Sequence, residues 1–168
     1  MRGYKLFRKV NGKLYPLYVL SNEEVVIGKW LPAKEGPLVN GKVKSKNGTL
    51  AYRPGWHINP DVPYETHIGK KNHDGKIAYL PSNLVWAEVE YSDKINYQRE
   101  SDSNGNGWRG CLKRVPKDGY YFFKTNPNMF GKLAIAGAMR VIREMSDDEV
   151  EMLCARQGLT PLPRERRA

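Results

Sequence analysis

The chain has 168 residues, 40% of them hydrophobic and 27% charged, and a formal net charge of +10. That length buries the core of one domain without disulfides or metal, and the composition is that of a globular rather than a disordered chain. Two cysteines, Cys111 and Cys154, are too few for a disulfide framework, and no apolar stretch approaches the roughly 18 residues of a membrane span.

The elements follow in chain order. Tyr4-Lys5-Leu6-Phe7-Arg8 alternates and is rich in apolar and aromatic residues, which predicts a strand. Asn11-Gly12 predicts a type I′ hairpin turn, and the return strand Leu14–Leu20 holds Pro16, which places it at an edge or a bulge. Glu24-Val25-Val26-Ile27 is a shorter strand candidate ended by Gly28, and Trp30-Leu31-Pro32 anchors the next loop. Residues 32–48 are rich in Lys, Gly and Pro, and a segment that long without structure of its own is more often functional or mobile than incidental.

Thr49–Tyr52 and Trp56–Ile58 are short strand candidates joined by Pro54-Gly55, a turn pair in which Pro sets φ and Gly tolerates positive φ. Asp61–Pro81 is polar and irregular. Leu84–Tyr91 is the clearest strand, with Val85, Ala87, Val89 and Tyr91 on one face and Trp86, Glu88 and Glu90 on the other. Residues 92–119 read as loop and Tyr120–Lys124 as a buried strand, while Leu133–Met145 suits helix or strand. Ser146-Asp147-Asp148-Glu149 is a capping box, opening a helix that runs to about Gln157 and stops at Gly158.

These elements predict an α+β fold: a mostly antiparallel, twisted sheet of about five to seven strands with an N-terminal β-hairpin and one C-terminal helix. Residues 1–158 form a single globular domain, and 159–168 a basic, mobile tail.

The charge is uneven. Residues 1–50 carry ten Lys/Arg against three Asp/Glu, and residues 101–168 carry twelve against eight, with the middle near neutral. Such a surplus favours acidic partners, nucleic acid above all, or serves solubility alone. Lys42-Val43-Lys44-Ser45-Lys46 would put three ammonium groups on one face of an extended arm, which is either a solvated loop or a phosphate-contacting one. Lys70 and Lys71 add to the basic surface. Arg53, Trp56 and His57, fixed near one turn, can grip a phosphate and stack a base or a nicotinamide; alternatively Trp56 fills the core and His57 caps a loop.

Glu88 and Glu90 point the same way from one strand, as a solvent face paired to Lys or Arg across the sheet, or as a cleft wall with an exposed Trp86. His57, His67, His73, Cys111 and Cys154 have no metal-ligand spacing. The literal Gly105-x-Gly107-x-x-Gly110 neither follows a good strand nor opens a helix. Met1-Arg2-Gly3-Tyr4 lacks the apolar run of a signal peptide, so the expectation is an intracellular protein with free thiols.

Gly3-Tyr4-Lys5-Leu6-Phe7-Arg8, Gly28-Lys29-Trp30-Leu31, Tyr52-Arg53-Pro54-Gly55-Trp56-His57, Val85-Trp86-Ala87-Glu88-Val89-Glu90 and Ala136-Gly137-Ala138-Met139-Arg140-Val141 together resemble a set of small proteins from phages and other bacterial mobile elements. The resemblance implies a bacterial cytoplasm and action on host defence or host nucleic acid. Arg8, Gly55-Trp56-His57 and Glu88-Val89-Glu90 also resemble, at the level of fold, elements of ADP-ribosyltransferases, although the chain has no Ser-Thr-Ser and its Glu-x-Glu falls mid-chain.

The expected function is therefore a small basic accessory protein that binds nucleic acid or a host nucleoprotein, a role that fits an inhibitor of host defence. Lys42, Lys44, Lys46, Lys70 and Lys71 would dock electrostatically and Arg53 and Trp56 would give local contacts, with no metal, cofactor or membrane involved. The alternative is an enzyme using NAD, in which Arg8 and His57 hold the cofactor and Glu88 or Glu90 acts on its ribose. That alternative requires all four to converge on one cleft of about 300 Å³ or more.

Overall fold

The computed structural model describes residues 1–36, 38–39, 42–45, 48–50, 53–105, 110–125 and 130–165. The fold is α+β and mostly antiparallel, opening on a β-hairpin and carrying a C-terminal helix. Among the described residues the strands fall into two main sheets and two small ones rather than one sheet.

The first sheet has the order β2 (Lys13–Tyr15), β1 (Arg2–Val10), β10 (Leu84–Tyr91), β14 (Ala138–Glu144), β3 (Leu31–Pro32). Asn11 and Gly12 between β1 and β2 have φ of 50° and 78°, the two positive values a type I′ turn needs. β2 stops before Pro16 and lies at the sheet edge, where a missing N–H costs no ladder bond. Val25 makes only an isolated bridge to Leu14, so the strand expected at 24–27 does not form. Leu31 and Pro32, expected as a loop anchor, pair with β14 as the opposite edge.

The second sheet has the order β11 (Ile95–Asn96), β12 (Gly119–Lys124), β13 (Lys132–Ala136), β7 (Trp56–Ile58). The ambiguous stretch 133–145 resolves into β13 and β14. β4 (Leu38–Val39), β5 (Lys42–Ser45) and β6 (Gly48–Leu50) form a small sheet, while β8 (Lys70–Lys71) pairs with β9 (Ile77–Tyr79). A short helix, α1 (Gln98–Ser103), lies within the stretch expected to be loop.

The period-2 pattern decides the layers. Phe7, Val85, Ala87, Val89, Tyr91, Met139 and Val141 of the first sheet pack against Ile58, Tyr120, Ala134 and Ala136 of the second. The opposite face of the first sheet, with Leu6, Leu84 and Trp86, is covered by Met145 and by α2 (Asp147–Arg156) through Val150 and Cys154. The helix starts on a complete capping box, Ser146 with Glu149, and Gly158 beyond it has φ 70°. Trp86, expected to be exposed, is 5% exposed because α2 and Leu80 lie over it.

Both cysteines are free; Cys154 lies on the buried face of α2, its Sγ 3.4 Å from the Pro63 carbonyl oxygen, and burial pushes its thiol up to about 11. The segment expected to be a mobile tail is docked over its described part. Leu159 and Leu162 pack on the layer beneath α2, and Leu80 N–H donates to the Pro163 carbonyl at 2.8 Å. Arg164 forks onto Asp147 and donates to the carbonyls of Pro81 and Leu84. Residues 166–168 lie outside the described residues.

The two sheets are fastened to each other through β1 and the residue after β7. Tyr4 and Asn59 exchange backbone hydrogen bonds at 2.8 Å in both directions. Gly3 makes this approach possible, since a Cβ there would lie 2.7 Å from Ile58 Cγ2 and 2.9 Å from the Asn59 carbonyl.

Candidate functional site

A cleft of about 660 Å³ opens beside this junction, within the range of small-ligand sites. Its walls come from the loop after β2 (Leu17, Tyr18, Leu20), the strand β3 segment, the Arg53–His57 turn and residues 65–68; Lys5 of β1 lies in its floor. The turn holds because Gly55 occupies φ 138° with its α-carbon pressed onto β13. A Cβ there would meet Ile135 Cγ2 at 2.5 Å and the Ala136 carbonyl at 3.1 Å.

Lys5 pairs with Ala87 on β10 and shares the alternation of Phe7, so its side chain starts on the inner face of the first sheet. Nζ reaches the edge of the second sheet and donates to the His57 carbonyl at 2.6 Å, lying 6.0 Å from the ring centres of both Phe7 and Trp56. Burial holds the ammonium down to about 8, with the attraction of Glu65 opposing it. Burial likewise pushes the Glu65 carboxyl up to about 7, against the pull of Lys5 and a hydrogen bond from Asn59. Lys5 and Glu65 attract each other, and among the described residues no ion pair within 4.0 Å joins them.

His57 donates from Nε2 to the Arg53 carbonyl at 2.9 Å. A carbonyl only accepts, so that nitrogen carries the proton and the neutral ring keeps its lone pair on Nδ1. Burial lowers this imidazole to about 4, and the positive charges of Lys5 and Arg53 add to the effect. Arg53 sits over Phe123, its guanidinium carbon 4.4 Å from the ring centre, and Trp56 Nε1–H donates to the Leu31 carbonyl at 2.9 Å. Packing and chemistry thus coexist here: Trp56 is half-buried against the inter-sheet core yet still lines the cleft.

The structure brings Arg53, Trp56 and His57 into this one cleft and leaves Arg8, Glu88 and Glu90 outside it. Arg8 stacks on Tyr15 at 5.2 Å and donates to the Ser21 carbonyl at 2.6 Å. Glu88 accepts from Arg2 and Arg143, and Glu90 pairs with Arg140. Both carboxylates lie on the Trp86 side of β10, the face away from the second sheet that holds His57. The four residues of the NAD reading therefore do not converge, because the strand alternation that aligns the two glutamates also turns them away from the cleft.

Lys70 and Lys71 are exposed on β8, and Lys70 is tied to Glu165 at 2.7 Å. Lys42 and Lys44 belong to β5, and Lys46 lies outside the described residues. Among the described residues no three His, Cys, Asp or Glu side chains are placed to hold a metal ion, and no helix is long and apolar enough to cross a membrane.

Lys5 and Glu65 were not legible as site residues. Lys5 carried a faint signal, a lysine on the alternation face of Phe7, where an apolar residue belongs. Glu65 carried none, because it sits in an irregular polar stretch. Comparisons with family models, with curated proteins and with solved structures yield no match.

Proposed function

We propose that this protein is a binding module for single-stranded nucleic acid, with a base entering the cleft and phosphates engaged by the basic segments that flank it in sequence. The observation that carries the reading is the cleft itself. Arg53 and Trp56 line it, β5 with Lys42 and Lys44 precedes that turn, and Lys70 and Lys71 follow the residues 65–68 that close it. A cationic approach to a partly aromatic slot is the arrangement by which sequence-tolerant strand binders work. In the setting of a phage or mobile element, such a module would occupy host nucleic acid or a nucleoprotein and so blunt host defence.

Fluorescence anisotropy with a labelled single-stranded oligonucleotide tests this. Affinity should fall steeply between about 50 and about 200 mM salt, with a log–log slope of about −0.7 for each phosphate neutralised. Arg53→Ala should weaken binding. A flat salt response, or equal affinity for the variant, refutes the reading.

A further inference from the structure

We infer that the cleft floor selects guanine among the bases of a bound strand, through the Lys5 ammonium and the Glu65 carboxylate. The inference rests on the nucleic-acid reading above and names its preferred base. Its ground is a lysine and a glutamate that line one cleft and that, among the described residues, no ion pair within 4.0 Å joins. Lys5 uses one of its three N–H groups on the His57 carbonyl, which leaves two for a ligand. Glu65 already accepts from Asn59, and the remaining lone pairs on its two carboxylate oxygens can accept two further hydrogen bonds side by side. The floor therefore asks for an edge that offers an acceptor next to two donors.

Guanine has that edge: O6 for the ammonium, N1–H and the N2 amino group for the two carboxylate oxygens. Adenine and cytosine put an amino group where guanine has O6, setting donor against ammonium. Thymine keeps a carbonyl beside a ring N–H but has a second carbonyl in place of the N2 amino group, setting acceptor against carboxylate. Tyr18, Trp56 and Leu17 in the walls supply apolar surface for the ring. Burial in the cleft discourages both charges, holding Glu65 up and Lys5 down, so a ligand supplying complementary partners recovers what desolvation removed.

The test is an anisotropy series with labelled thymine oligonucleotides carrying one central guanine, inosine, adenine or cytosine. Guanine should bind about tenfold tighter than adenine or cytosine. Inosine, which lacks only the N2 amino group, should fall between. Glu65→Gln, close in shape and checked for fold by circular dichroism, should lose the preference. If every oligonucleotide binds alike, or inosine equals guanine, the guanine assignment is overturned while the binding reading stands. If none binds at low salt, the binding reading falls, and calorimetry with guanosine against adenosine monophosphate decides the floor: heat with the guanine nucleotide alone upholds the assignment, and silence from both overturns it.

Discussion

Acid should destabilise the native protein through His57, and His57→Gln should remove that sensitivity. The imidazole titrates at about 4 in the fold against an ordinary 6.5, because burial disfavours its charged form and Lys5 and Arg53 repel it. Between those values the unfolded chain holds a proton that the native state refuses, so stability falls as pH drops through the window. A difference of about 2.5 units corresponds to about 3 kcal/mol at full protonation, of which about 2 kcal/mol is lost between pH 7 and about pH 5. Glu65, faced by Lys5, Asn59 and Tyr18, works in the opposite sense. Its carboxyl is held up to about 7, so the native state keeps a proton the unfolded chain has released, and stability rises as pH drops toward the ordinary carboxylate range. The informative quantity is therefore the difference between wild type and His57→Gln at each pH, in which the Glu65 contribution cancels. Glutamine preserves an N–H for the Arg53 carbonyl and does not titrate. Denaturant midpoints measured from about pH 7 to about pH 4, with m unchanged, give that difference directly. Parallel curves for the two proteins would refute a buried neutral His57.

Gly55→Ala should destabilise by several kcal/mol, about 1–3 from a backbone held at φ 138° and a similar amount from the 2.5 Å encounter with Ile135, read as a lowered melting temperature together with weakened oligonucleotide binding. A near-neutral result would show that the turn has room to relax. Glu88→Gln combined with Glu90→Gln should cost about 0–1 kcal/mol per lost ion pair and leave oligonucleotide affinity unchanged, since both carboxylates answer Arg2, Arg140 and Arg143 away from the cleft. Loss of binding in that variant would place the glutamates back at the site.

The sequence alone determined what depends on near neighbours. Asn11-Gly12 specified its hairpin, the alternation of 84–91 specified the central strand and its two faces, and Ser146 with Glu149 specified where the C-terminal helix starts. Pro54-Gly55 likewise marked the turn that carries Arg53, Trp56 and His57. Each is a signal spanning a few residues, with the physics contained in the backbone geometry those residues allow. Where the faces point is not local. Trp86 reads as exposed until α2 is laid over it, Arg164 reads as tail until Asp147 and two carbonyls receive it, and Glu88 and Glu90 read as a possible active-site pair until the second sheet packs on the other face of their strand. Lys5 and Glu65, sixty residues apart in an ordinary strand and an irregular loop, become the charged floor of a cleft only because Gly3 lets the sheets close on each other beside them. Burial and charge coupling are properties of that assembly, and no window of sequence contains them.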